Sequence, residues 1–100
     1  MNTKTVVINL MDTVAGTATT TEGLALYLAM SKAMDTGKNV KLSLKDCTPL
    51  SSSFLNSTFG ELYDRYGYDK IKERVVLINY FPSHAMAIKK YLQDLNNLVS

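Results

Sequence analysis

The stretch "VKLSLKDCTPLSSSFLNSTFG", residues 40 to 60, changes from one periodicity to another, and that change decides the fold. Val40, Leu42 and Leu44 alternate with Lys41, Ser43 and Lys45, the period-two pattern of a strand with one buried face. Beyond Pro49 the spacing becomes helical. Leu55, Phe59, Leu62 and Tyr66 share one face, Asn56, Glu61, Asp64 and Arg65 fall elsewhere, and Gly67 supplies a C-terminal stop. A strand, a short turn and an amphipathic helix in direct succession form the first part of a β-α-β unit.

The flanking sequence repeats the scheme. "TVVINL" (5 to 10) and "RVVLINY" (74 to 80) are short, β-branched and bounded by polar or turn residues, so they read as strands. "TEGLALYLAMSKAMDTG" (21 to 37) and "SHAMAIKKYLQDLNNLV" (83 to 99) have helical spacing. Thr19 and Glu22 form a capping box ahead of the first helix, whose stripe is expected to be Leu24, Tyr27, Leu28 and Met34, ending at Gly37. The last helix places Ile88, Tyr91, Leu92, Leu95 and Val99 on one side and Lys89, Lys90, Gln93 and Asp94 on the other. The order β-α-β-α-β-α gives an α/β fold with a mostly parallel sheet, because strands joined through helices pack as right-handed crossovers. A doubly wound sheet would bury both faces of its strands, whereas the second strand has a polar face, so the helices should lie mainly on one face. "TVAGTATTTEG" (13 to 23) is a threonine-rich loop and helix cap, expected to be mobile at Gly16.

Composition limits the functions. The length suits one domain over residues 1–100. Eleven basic residues against nine acidic ones, spread along the chain, do not make the basic face that nucleic acid requires. No apolar run reaches the about 18 residues of a membrane span. The lone Cys47 has no disulfide partner and the N-terminus has no long apolar signal region, so the expected location is cytoplasmic.

Catalytic patterns are few. His84 is the only histidine, so no two-histidine metal site is available, and no cofactor is expected. A nucleophile, Ser52 or Cys47, would need His84 as its base. Asp12, Asp46, Glu61, Asp64 and Asp69 have no metal-binding spacing. Tyr63, Tyr66, Tyr68, Tyr80 and Phe81 suit a core edge, with one or two as partner anchors. The three serines at 51 to 53 have two readings. Ser51 or Ser52 caps the helix, or the serines form a site at the carboxyl end of a parallel strand, where ligands and partners bind.

Residues 40 to 67 followed by "IKERVVLINY" resemble the STAS-like domain family of unknown function, in the strand, the short turn, the Ser-Ser-Phe-Leu helix start and the Gly60-Glu61-Leu62 step. More distantly the chain resembles the STAS domain of anti-anti-sigma factors. That pattern ends its strand in Asp-Ser-Ser-Gly, and a GHKL-type ATPase phosphorylates the first serine. The alignment puts Ser51 at the Asp, Ser52 at the phosphoacceptor, Ser53 at the second serine and Phe54 at the glycine. The resemblance implies a regulatory or adaptor protein and not an enzyme, acting through protein–protein contact at Ser51, Ser52, Ser53, Asn56 and Ser57. Its partner would be a protein, with a GHKL-type ATPase or kinase acting at Ser52 as one mode and constitutive, phosphorylation-independent binding as the alternative. Homodimerisation stays open, because Val7 and other apolar residues of the half-polar sheet need cover.

Overall fold

The computed structural model describes residues 4–99. Three strands, β1 (Thr5–Asn9), β2 (Asn39–Ser43) and β3 (Val75–Ile78), pair in parallel in the order β1-β2-β3. One row of the sheet joins Val6, Val40 and Val75, and the next joins Val7, Lys41 and Val76. Right-handed crossovers between strands laid down in sequence order put the connecting helices on one face. The alternation in β2 follows from this in part: Val40 and Leu42, with Leu44 just beyond, are fully buried and Lys41 is exposed between Val7 and Val76, which are 64% and 51% exposed, but Ser43, expected on the polar face, is buried and accepts from the Asn79 side chain at 3.0 Å. The expected α/β class, parallel sheet and one-sided helices are all present.

The helices are α1 (Leu10–Thr13), α2 (Thr20–Asp35), α3 (Ser52–Leu55), α4 (Glu61–Tyr66), α5 (Tyr68–Arg74) and α6 (Pro82–Val99), with a π-helical turn (Asn56–Gly60) between α3 and α4. β1 is one residue shorter than its sequence suggests. The chain turns helical at Leu10, which enters the core instead of extending the strand. α5 was not legible at all. Gly67, at φ 86°, ends α4 and allows a new helix to begin one residue later, with Ile71 as its buried anchor. Arg74 therefore closes a helix instead of opening β3.

α2 has the expected capping box: Thr19 Oγ1 accepts from the Glu22 N–H at 3.2 Å, and Glu22 Oε1 accepts from the Thr19 N–H at 3.2 Å. Its buried stripe differs from the expected one. Leu26, Met30 and Met34 face the core, whereas Leu24 and Leu28 are 43% and 59% exposed. From Leu24 to Met30 every residue is apolar, so spacing admits two stripes, and contact with the sheet selects one.

α3, the π turn and α4 form one continuous helical path, with right-handed helical backbone at Leu55, Asn56, Gly60 and Glu61. The expected apolar positions Leu55, Phe59 and Leu62 are buried and Tyr66 is half-buried. The wider turn also brings Ser57 and Thr58 inward, against α2. On α6, Ile88 and Leu92 are buried with Ala85, and Tyr91 and Leu95 are half-buried; the side chain of Val99 lies outside the described residues. Tyr91 donates to Asn56 Oδ1 at 2.6 Å, and Tyr63 to Asn96 Oδ1 at 3.3 Å, fastening α6 to the π turn and α4.

Candidate functional site

The carboxyl end of the sheet is built from two loops, residues 14–19 after α1 and 44–51 after β2. Thr17 joins them. Its side chain is 1% exposed and its hydroxyl lies 3.0 Å from the Thr48 carbonyl, 2.9 Å from that of Pro49 and 2.6 Å from Thr48 Oγ1. The Ser51 N–H returns a bond to the Thr17 carbonyl at 3.0 Å. The loop expected to be mobile at Gly16 is thus tied down one residue later. Nothing in a run of threonines marks Thr17 as the buried one, so sequence reading missed it.

The three serines have different roles. Ser51 Oγ accepts from the Phe54 N–H at 3.1 Å, which caps α3, and donates to the Ala18 carbonyl at 2.8 Å. It is a structural cap and a second stitch between the loops. Ser52 and Ser53 begin α3 and are exposed, with no side-chain hydrogen bond among the described residues. Phe54, at the position where the anti-anti-sigma pattern has glycine, is fully buried, so its ring does not stand over the serines.

Asn56 is exposed, and its amide oxygen is taken by Tyr91. Ser57 does not line the surface. It is 7% exposed and donates to the Ser53 carbonyl at 3.0 Å and the Phe54 carbonyl at 3.2 Å, because the π turn rotates it toward Gly23 of α2. A Cβ at Gly23 would lie 1.9 Å from Ser57 Oγ and 2.6 Å from the Phe54 carbonyl oxygen, so the two helices touch through glycine backbone. Leu24, which follows the glycine in contact with Phe54 and Ser57, and Leu28 one turn on present an exposed apolar pair on α2. That pair is the feature of this surface that the sequence reading placed in the core.

Local electrostatics are mild. Hydrogen bonds from the Ala18 N–H, then from Thr19, hold the Glu22 carboxyl below the usual range. Burial pushes the Cys47 thiol up; it donates to the Thr48 carbonyl at 3.2 Å, which makes it a poor source of thiolate. His84 sits in the first turn of α6, edge-on to Phe81 with ring centroids 5.9 Å apart. Among the described residues no group of three or more His, Cys, Asp or Glu side chains could hold a metal ion. Also among them, no helix is long and apolar enough to cross a membrane. At the other end of the helix pair Arg65 pairs with Asp35, and Tyr66 donates to Asp35 Oδ1 at 2.6 Å, locking the C-termini of α2 and α4 together.

A sequential three-stranded parallel sheet with helices on one face, and with two exposed serines opening the helix after the central strand, defines a small α/β domain. The chain belongs to the family described as STAS-like domain of unknown function (DUF4325), whose profile matches residues 22–84, from the capping glutamate of α2 to the first turn of α6. No curated protein and no solved structure matches the chain at a significant level.

Proposed function

We propose that this domain is a regulatory or adaptor module that binds a protein partner over the end of β2 and the outer sides of α2 and α3, with Ser52 as its switch. The observation that carries the reading is the division among the serines. Ser51 is held by two hydrogen bonds as the cap, which leaves Ser52 and Ser53 exposed on a rigid helix start. The exposed Leu24 and Leu28 supply the apolar part of the same surface. A phosphate on Ser52 adds about −1.5 to −2 charge. That charge suits a helix N-terminus but opposes burial in a partner interface, so it would release a partner bound there.

The kinase in this reading is a GHKL-type ATPase partner, which supplies the nucleotide chemistry, and the setting is cytoplasmic. In this reading the domain is a binder and not an enzyme, and the reading is supported by the Cys47 thiol, which donates to a neighbouring carbonyl and is raised by burial.

The test is affinity capture of the tagged chain from its host with intact-mass analysis, repeated with Ser52→Ala and Ser52→Glu. The reading expects a GHKL-type ATPase on the wild type, about 80 Da added to the wild type as one phosphoryl group, and release by Ser52→Glu. An unmodified chain that holds the same partner in all three forms would leave a constitutive binding module instead.

A further inference from the structure

A second surface lies away from the serines. α6 stands off from α5 and β3, leaving a groove of about 550 Å³. Phe59, Ile71, Ile88 and Leu92 form its depth. Val75, Val76 and Leu77 all border it, although successive strand residues point to opposite faces of a sheet. A cavity can meet three consecutive strand residues only by opening along the strand's edge. β3 is the last strand in the order β1-β2-β3, so this is a free edge, whose backbone N–H and C=O groups face no strand among the described residues.

The charge at the rim is of one sign. Lys72 and Lys89 line the groove and no carboxylate does. Lys72 Nζ sits 5.9 Å from the Tyr68 ring centroid, and among the described residues neither lysine is in an ion pair; Lys90, the neighbour of Lys89, is the one paired with Asp94.

We infer that this groove receives an extended segment of a partner protein, apolar on alternate residues and acidic at its flanks, which adds to β3 as a fourth strand. The free edge supplies main-chain pairing, the space beneath α6 takes every second side chain, and Lys72 and Lys89 select carboxylates. A second copy of the chain is a poor occupant. Pairing β3 with its own copy would bring four lysines to one interface with no carboxylate from either groove to answer them. The inference is independent of Ser52, which opens α3 and does not line the groove.

The experiment is selection of a displayed random dodecapeptide library on the intact chain, with the enriched peptides measured by fluorescence anisotropy. Enriched sequences should alternate apolar residues and carry Asp or Glu, and should shift the amide resonances of Val75 to Ile78. The double variant Lys72→Glu/Lys89→Glu replaces two exposed attractive pairs with repulsive ones and should weaken these peptides at least about tenfold. Both lysines are exposed, so circular dichroism should show the variant folded. Failure to enrich any peptide, enrichment without acidic residues, or affinity unchanged by the double variant would overturn the inference. So would a concentration-dependent dimer that protects the β3 amides, or displacement of the peptides by a long-chain fatty acid that itself binds with the same lysine dependence and a higher affinity.

Discussion

Gly23 gives the sharpest test of how the two serine-bearing elements are held. It lies within α2, where glycine costs about 1 kcal/mol relative to alanine. Replacement by alanine should therefore stabilise an isolated α2. In the folded domain the new methyl would lie 1.9 Å from Ser57 Oγ, 2.6 Å from the Phe54 carbonyl oxygen and 3.0 Å from Thr58 Oγ1. The serine hydroxyl can rotate away, but the carbonyl is backbone of α3, so α2 and α3 must separate. Separation stretches the 2.5 Å hydrogen bond from Thr58 Oγ1 to the Gly23 carbonyl, and Thr58 is fully buried, so its hydroxyl would be left unpaired.

Overpacking costs about 1–3 kcal/mol and an unsatisfied buried hydroxyl about 1–3 kcal/mol. Set against the propensity gain, the net destabilisation of Gly23→Ala is about 1–5 kcal/mol, centred on ~3 kcal/mol. In urea unfolding followed by circular dichroism this lowers the midpoint, and by heating it lowers Tm by roughly 10–20 °C for a domain of this size. Adding Ser57→Ala removes the 1.9 Å contact and leaves the one at 2.6 Å, so the double variant should recover only part of the loss. Wild-type stability in Gly23→Ala would refute the close approach, and complete recovery in the double variant would show that the hydroxyl alone set it.

The serines and Tyr66 give two further predictions. Ser51→Ala removes the α3 cap and the bond to Ala18 and should cost about 0.5–2 kcal/mol, while Ser52→Ala, at an exposed position, should stay within about 0.5 kcal/mol; equal effects in urea titrations would contradict the assignment of the cap to Ser51. Burial, with help from the bond to Asp35, pushes the Tyr66 hydroxyl up to about 12. A folded pKa above the unfolded value favours the fold while the phenol is protonated, so this contribution is intact below about pH 10 and is lost as the pH rises through about 12. Spectrophotometric titration of the folded chain should show a late-ionising tyrosine that is missing in Tyr66→Phe, and identical titration of the remaining tyrosines and the wild type would count against it.

The sequence by itself determined the sheet and its sidedness, because alternation in β2 sets Val40, Leu42 and Leu44 inside and Lys41 outside without reference to any other segment, although Ser43 is buried as well. It also determined the ends of α2, since a capping box closes within four residues at its start and Gly37, at φ 79°, stops it at the other end, and it located the serine-rich start of α3. It could not say which serine caps, because Ser51 and Ser52 differ only in whether the Ala18 carbonyl and the Phe54 N–H are within reach. Tertiary structure decided the face of α2: with seven apolar residues in succession, only contact with the sheet could bury Leu26 and Met30 and leave Leu24 and Leu28 outside. It also decided that Ser57 turns inward, since a π turn has no period of its own in the sequence and arises where the helix must meet both Gly23 and Tyr91. The groove beside β3 belongs to the same class of fact. Its walls come from residues as far apart as Phe59 and Leu92, and what joins them is the path of α6 past an unpaired strand edge.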